Sequence, residues 1–289
     1  MPTVVHHKAA LDGSPHPPNS LAGIVACLDA GAAWIEIDVL ALADSDYLLV
    51  HDAELAHETD GAGPVAGCTA AQARTLHIRG SAQTVPLLSD VVELLLLHPA
   101  RARLQIDFKN ITPFADDEPL ERLVRLIEPL GARAIVSSIA DWQLRRLRSL
   151  APQLDLGFDI QAHLDLGDEE VGRFPVRLGA YGYLDDHPLA ARRTWSAARY
   201  LEDRFAALIG LVPNASTFYV RHPLIARAMA DGFNPAAFLH AHGIQLAAWT
   251  TDIGNPAAEA NLPTLTTAGV DLFTSNTPAA LASQLQAQL

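Results

Sequence analysis

The chain has 289 residues, of which 49% are hydrophobic and 18% are charged. This composition supports a large buried core and argues against a disordered chain, and the length fits one large domain or two small ones. The formal net charge of -13 argues against non-specific binding to nucleic acid or to an anionic membrane, because both need basic surfaces. An anionic substrate would therefore need a local positive centre, such as a metal ion.

Two features of the chain indicate a cytoplasmic protein without a membrane span. The N-terminal segment 1–7 lacks the basic stretch and the long apolar core of a signal peptide. The apolar run 91–97 is far shorter than the roughly 20 residues that cross a bilayer. The only cysteines, Cys27 and Cys68, are too few for a disulfide framework and lack the spacing of a metal site.

Short apolar segments, typical of buried strands, alternate along the chain with segments of helical pattern. The predicted strands are centred on Val4, Ile35, Ile106, Ile135, Gly157, Tyr219, Ala247 and Phe273. Helices are predicted from Asn19 or Ser20 to about residue 30, over 86–97, 119–128, 141–150 and 257–268, and from Pro223 and Pro278. Eight strand–helix units in this length favour a single α/β domain over residues 1–289, folded as a (β/α)8 TIM barrel and not as an open doubly wound sheet.

One long segment, residues 161–214, interrupts this alternation between the fifth and sixth strands. It contains a helical pattern over about 189–209. Long segments beside the mouth of a barrel usually act as lids or as oligomer contacts. The sequence leaves these two alternatives open, and with them the question of a homo-oligomer.

The segment Trp34-Ile35-Glu36-Ile37-Asp38 carries two acids on a strand that is otherwise built for burial. Side chains alternate between the faces of a strand, so the two carboxylates point the same way. Buried charges need a partner or a metal, and hard cations bind carboxylate oxygens. The segment therefore indicates a metal site, although an acidic strand end that reaches solvent is an equal alternative for the triplet alone.

Other polar residues are predicted at the carboxyl ends of strands, where barrels of this kind have their active sites. They come from distant parts of the chain: His6, His7 and Lys8; His51 and Asp52; Asp107 and Lys109; and Trp249. Each is weak evidence alone. Their convergence with Glu36 and Asp38 on one rim is what favours a catalytic centre.

The order of these motifs resembles the glycerophosphodiester phosphodiesterase family. The resemblance rests on His7-Lys8-Ala9, Glu36-Ile37-Asp38, His51-Asp52, Thr59-Asp60-Gly61, Asp107-Phe108-Lys109 and Ala248-Trp249-Thr250. It covers nearly the whole chain apart from residues 161–214. The resemblance implies a (β/α)8 barrel with one divalent cation, either Mg2+ or Ca2+.

The resemblance also implies roles for individual residues. It implies that the metal ligands are Glu36, Asp38 and Asp107, and that His7 and His51 are the general acid and base. Lys109 would add a positive centre for the phosphate, Lys8 would contact the phosphate or form an ion pair, and Trp249 would wall the alcohol group. His6 is the alternative to His7, because the alignment there is uncertain by one residue.

Three departures from the family pattern affect the expected substrate. His7-Lys8-Ala9 stands where His-Arg-Gly is usual, Pro17-Pro18-Asn19 where Pro-Glu-Asn is usual, and Asp107 where a glutamate is usual. The expected reaction is metal-dependent hydrolysis of small-molecule glycerophosphodiesters to sn-glycerol 3-phosphate and an alcohol. Asp107 motivates one alternative, a phospholipase D-like lyase acting on lysophospholipids. The altered motifs motivate another, a catalytically weak barrel that binds phosphorylated ligands.

Overall fold

A computed structural model of the chain describes residues 2–164 and 196–287. The strands in these ranges are β1 (Thr3–His6), β2 (Trp34–Ala41), β3 (Tyr47–Leu48), β4 (Arg103–Phe108), β5 (Ala134–Ser138), β6 (Asp155–Asp159), β7 (Thr217–Arg221), β8 (Gln245–Trp249) and β9 (Leu272–Ser275).

The helices of the same ranges lie mostly between consecutive strands. They are α1 (Leu21–Asp29), α2 (Leu55–Glu58), α3 (Ala70–Ala73), α4 (Leu88–Leu97), α5 (Glu118–Ile127), α6 (Asp141–Leu150), α7 (Gln161–Leu164), α8 (Ala197–Leu211), α9 (His222–Ala230), α10 (Pro235–His240), α11 (Pro256–Ala268) and α12 (Pro278–Ala287). None of the helices in the described ranges has both the length and the hydrophobicity needed to cross a bilayer.

Eight parallel strands close into a barrel. β1 pairs with β9 on one side and with β2 on the other, and β4 to β9 complete the ring in chain order. Each of the eight predicted strand centres falls inside one of these strands, which confirms the (β/α)8 barrel. The remaining strand, β3, pairs antiparallel with the end of β2 and lies outside the ring.

Two apolar layers support the ring. The larger layer lies between the strands and the surrounding helices, and includes Ile35, Ile37 and Val39 of β2. The smaller layer fills the barrel interior with Val5, Trp34, Ile135, Tyr219, Ala247 and Leu272. β2 therefore buries both faces, as strands of parallel barrels do, and its acids point into the barrel.

Residues 42–87 leave the ring between β2 and α4 and form an excursion with an apolar cluster of its own. That cluster includes Leu48, Val50, Leu55, Val65 and Leu87. Thr69 begins α3 with a capping box, as its hydroxyl accepts a hydrogen bond from the backbone of Gln72. The cluster fixes the loop after Val50, so that the next residue, His51, is held at the mouth of the barrel.

The long segment after β6 is described only in part. α7 follows β6 directly, and α8 leads into β7. The predicted helical run over 189–209 agrees with α8 from Ala197 onward. Residues 165–195 lie outside the described ranges, and with them lies most of the segment predicted to be a lid or an oligomer contact.

Candidate active site

Three carboxylates meet inside the carboxyl end of the barrel. Glu36 and Asp38 belong to β2, and Asp107 lies opposite Asp38 in the pairing of β2 with β4. One oxygen from each of the three lies within 4.8 Å of the other two. Glu36 is 2% exposed and Asp38 is fully buried, so these acids do not reach solvent at a strand end. An all-oxygen cluster of this kind suits Mg2+ or Ca2+.

The electrostatic state of Glu36 differs from that of Asp38. Burial, together with the charges of Asp38 and Asp107, raises the pKa of Glu36 well above its usual value. Burial also favours a raised pKa for Asp38, but the ammonium groups of Lys109 and Lys8 outweigh it and hold this pKa below the usual range. The negative charge of Glu36 is therefore less well compensated by neighbouring ammonium groups than that of Asp38.

Two lysines provide the positive charge at the cluster. Lys109 Nζ lies 2.6 Å from Asp107 Oδ2 and 3.1 Å from Asp38 Oδ1, and Lys8 Nζ lies 3.0 Å from Asp38 Oδ2. Burial lowers the pKa of Lys109, but the carboxylates outweigh this and raise it above its usual value. Both lysines also line the cavity described below.

Backbone and amide groups hold the first two acids in place. The backbone N–H of Lys8 donates to Glu36 Oε2 at 2.7 Å. The side-chain amide of Asn19 donates to Asp38 Oδ2 at 3.1 Å and accepts from the backbone N–H of Asp38 at 3.2 Å. Glu36 Oε1 is buried and has no hydrogen-bond partner among the described residues. A cation would satisfy this oxygen.

The two adjacent histidines differ in their surroundings. His6 Nδ1 bonds to the backbone carbonyl of Ala10 at 2.9 Å, and His6 does not line the cavity. His7 lines the cavity, its Nε2 lies 3.9 Å from Glu36 Oε2, and its Nδ1 lies 2.8 Å from Asn276 Oδ1. Burial lowers the pKa of His7, which favours the neutral imidazole at pH 7.

His51 also lines the cavity and is fixed by acidic neighbours. Its Nδ1 lies 2.9 Å from Asp52 Oδ1, and Asp52 Oδ2 lies 3.0 Å from Nδ1 of His57. These hydrogen bonds hold the pKa of Asp52 below its usual range. The carboxylate of Glu58 accepts hydrogen bonds from the backbone N–H groups of His51 and Asp52. Asp52 therefore orients the His51 ring.

The predicted residues surround one cavity of about 500 Å3. Its lining includes His7, Lys8, His51, Asp107, Lys109 and Trp249. Glu36 and Asp38 lie beneath that lining. Trp249 is half-buried beside the interior apolar layer, and Tyr219 also lines the cavity from β7. All eight residues to which the resemblance gives a role thus lie in or directly below a single cavity, whereas His6, the alternative to His7, does not line it.

Sequence reasoning did not assign roles to several residues that hold these groups. They are Asn19, His57, Glu58, Asn276 and Asp252, whose carboxylate accepts two hydrogen bonds from Asn276. Asn19 was visible in the motif Pro17-Pro18-Asn19, but its contact with Asp38 spans 19 residues. The contact between Asn276 and His7 spans 269 residues, so no local pattern indicates it.

Comparisons with known proteins agree with this geometry. The model of the glycerophosphoryl diester phosphodiesterase family matches residues 12–280, and His7 and Lys8 lie just before that range. A glycerophosphodiester phosphodiesterase from Caldanaerobacter subterraneus is 26% identical over 186 residues, which cover 62% of this chain and 73% of that protein. A probable glycerophosphodiester phosphodiesterase 1 from Mycobacterium tuberculosis is 28% identical over 242 residues, covering 73% of this chain and 87% of that protein.

A solved structure supports the same fold. A phosphodiesterase from Oleispira antarctica, in complex with the product sn-glycerol-3-phosphate, has a TM-score of 0.67 at 17% identity, and the match covers 99% of this chain and 97% of that one. The match of the family model over almost the whole chain confirms the resemblance drawn from the motifs. The chain belongs to the glycerophosphoryl diester phosphodiesterase family and is a phosphoric diester hydrolase.

Proposed function

We propose that the protein hydrolyses glycerophosphodiesters to sn-glycerol 3-phosphate and an alcohol, with a divalent cation held by Glu36, Asp38 and Asp107. One observation carries the proposal: three carboxylates with oxygens within 4.8 Å of one another lie at the floor of a cavity that two histidines line. The phosphodiesterase from Oleispira antarctica in complex with sn-glycerol-3-phosphate has the same fold, which supports this product.

The charges of the site support a cation at this position. When all three carboxylates are ionised they outnumber the two ammonium groups by one negative charge, and the raised pKa of Glu36 reflects this shortage of positive charge. A bound divalent cation reverses that sign and neutralises charge on the phosphoryl oxygens. Lys8 and Lys109 stay beside the carboxylates and direct their ammonium groups towards the phosphate.

The two histidines are suited to opposite proton transfers. Burial favours neutral His7, and a neutral imidazole can accept the proton of the attacking oxygen. His51 is hydrogen-bonded to the Asp52 carboxylate through Nδ1, so its Nε2 is the nitrogen available to donate a proton to the leaving alkoxide. Trp249 lies at the cavity wall, where its ring gives the alcohol group an apolar surface and a cationic head group a π face.

Phosphorus NMR tests this proposal directly. Purified protein is incubated with glycerophosphocholine and with lysophosphatidylcholine, each with Mg2+, with Ca2+ and with chelator. The expected result is conversion of glycerophosphocholine to sn-glycerol 3-phosphate with one or both cations and none with chelator. A cyclic phosphate formed from the lysolipid would indicate the lyase instead, and no turnover of either compound would indicate a binding barrel.

His51→Ala separates acid catalysis from folding and metal binding. We expect the rate to fall about 10^2-fold or more, while the cation-induced rise in melting temperature is retained because His51 is not a ligand. His77→Ala is the matched control. His77 has the same side-chain exposure of 45% and a similar bond, 3.0 Å to Asp60, but it lies outside the cavity. Turnover at the wild-type rate in His51→Ala would refute the assignment.

A further inference from the structure

A chain of hydrogen bonds leads from His7 away from the cavity to the turn that follows β9. His7 Nδ1 lies 2.8 Å from Asn276 Oδ1. Asn276 Nδ2 donates to Asp252 Oδ2 at 2.8 Å, and the backbone N–H of Asn276 donates to Asp252 Oδ1 at 2.7 Å. Asp252 follows β8 and Asn276 follows β9, so two neighbouring strands supply the chain.

The carboxylate fixes the orientation of the Asn276 amide. An ionised carboxylate only accepts hydrogen bonds, so the amide nitrogen must face Asp252 and the amide oxygen must face His7. An amide oxygen also only accepts. The proton between Asn276 and His7 must therefore lie on His7 Nδ1.

Further hydrogen bonds connect the turn after β9 to the loop after β8. Ser275 donates from its hydroxyl to Asp252 Oδ1 at 3.1 Å. The backbone N–H of Thr277 donates to the hydroxyl oxygen of Ser275 at 3.0 Å, and the Thr277 hydroxyl accepts from the backbone of Ile253 at 2.8 Å. These contacts tie the two loops together, and rotation of the Asn276 side chain would break its hydrogen bonds with both His7 and Asp252.

The other ring nitrogen of His7 is left without a proton. Its nearest carboxylate oxygen, Glu36 Oε2, is 3.9 Å away, which is too far for a hydrogen bond that would hold a proton on Nε2. His7 lines the cavity, so the lone pair of Nε2 is accessible from it. A general base must present a lone pair within reach of the proton that it removes.

We propose that Asp252 and Asn276 are positioning residues that hold His7 in the tautomer with its proton on Nδ1, and so present Nε2 as the base. The step rests on the proposed function: His7 Nε2 takes a proton from the attacking water, the water oxygen bonds to phosphorus, the bond to the leaving alkoxide breaks, and His51 protonates that alkoxide. The tautomer itself is a property of the resting protein and can be measured without turnover.

Nitrogen NMR of protein labelled in its histidine rings reads the tautomer. At a pH of about 8, where histidine is neutral, we expect the ring signals that disappear in His7→Gln to show a proton on Nδ1 and none on Nε2. In Asn276→Ala the acceptor is gone, and we expect the His7 proton to move at least partly to Nε2. Asn276→Asp keeps an acceptor at this position and should keep the proton on Nδ1.

Kinetics of the same variants show whether the tautomer is used. Asn276→Ala should lower kcat by about 10- to 100-fold, the range seen when a residue that orients a functional histidine is lost, with KM nearly unchanged because Asn276 is directed at His7. Asn261→Ala is the matched control, since Asn261 contacts His222 Nδ1 at 3.0 Å in a second asparagine–histidine pair away from the cavity. It should alter the His222 signals and leave those of His7 and kcat unchanged.

The outcomes separate this inference from the proposed function. A His7 proton on Nε2 in the wild type, or an unchanged tautomer in Asn276→Ala, would overturn the positioning role. A changed tautomer with unchanged kcat would also overturn it. Failure of the wild type to hydrolyse any glycerophosphodiester would overturn the proposed function. The NMR result would still decide whether Asn276 keeps the proton on His7 Nδ1.

Discussion

At the scale of single residues, Glu36 shows how the site conflicts with the stability of the fold. The side chain is buried inside the barrel, and its Oε1 has no hydrogen-bond partner in the described part of the chain. Burial and two neighbouring carboxylates raise its pKa. A buried group of this kind is unfavourable for folding unless a ligand satisfies it. The fold therefore carries a local cost that metal binding would offset.

The substitution Glu36→Gln tests this conflict. Glutamine keeps an oxygen for the backbone N–H of Lys8 but removes the buried charge. Without metal and at pH 8, we expect the free energy of unfolding to rise by about 1 kcal/mol, while the cation-induced rise in melting temperature and the activity are both lost. Glu93→Gln, on the exposed side of α4, is the control and should change neither quantity. A variant less stable than the wild type, or one that still responds to the cation, would contradict this account.

Among the secondary-structure elements, β6 and β7 pack closely at Tyr219, a residue that lines the cavity. Tyr219 of β7 is 3% exposed and fills the interior layer. Its ring occupies the space above Gly157 of β6: a Cβ atom added at Gly157 would lie 2.3 Å from Tyr219 Cε2 and 3.2 Å from Ser137 Cβ. The glycine is required by this close approach of a neighbouring ring, so its role is to accommodate Tyr219.

We therefore expect Gly157→Ala to lower the free energy of unfolding by about 1 to 3 kcal/mol, as overpacked cores do. Urea unfolding measures the change. Adding Tyr219→Leu should restore part of the loss because the ring is removed, whereas adding Tyr219→Phe should not, since the ring remains. Gly210→Ala is the control: Gly210 lies exposed in α8 with open space around its Cβ position, and alanine there should be neutral or stabilising. Equal effects of the two second-site changes would argue against the proposed contact.

The whole barrel could be predicted from the sequence because each of its strands has a recognisable local pattern. Apolar runs with turn residues at their ends locate all eight strands, and proline or cap residues locate several of the long helices, such as α1 and α12. The short helices α2 and α10 were not specified, because each depends on packing against residues distant in sequence. A one-turn helix such as α2 has too few positions to show a period.

The candidate site was likewise predictable from the sequence only in part. The acids and imidazoles were predictable as a group since barrels collect the carboxyl ends of their strands at one rim. An ion pair was one of the two roles expected for Lys8, but its partner Asp38, the ion pair of Lys109 with Asp38 and the contact of Asn276 with His7 were not predictable. They depend on side-chain directions that closure of the ring determines, and β1 and β9 meet only when the two ends of the chain pair.

The buried histidines should give the whole molecule a characteristic response to acid. Burial lowers the pKa of His6, His7, His163 and His222 below the ordinary value of 6.5. Just below pH 6.5 the unfolded chain therefore binds more protons at these rings than the folded chain does. Unfolding takes up protons in this range, so the free energy of unfolding falls as the pH falls. Glu36 acts in the opposite direction, because its raised pKa makes protonation stabilise the folded state above pH 4.5.

The measurement is best made in Glu36→Gln, where the opposing contribution is absent. Urea unfolding between pH 7.5 and 5 should show a free energy of unfolding that decreases steadily below about pH 6.5. His222→Gln, which replaces a buried histidine outside the cavity, should make this decrease smaller, because one fewer ring takes up a proton on unfolding. A free energy of unfolding that stays constant or rises on acidification would show that the folded protein protonates these rings as readily as the unfolded chain does.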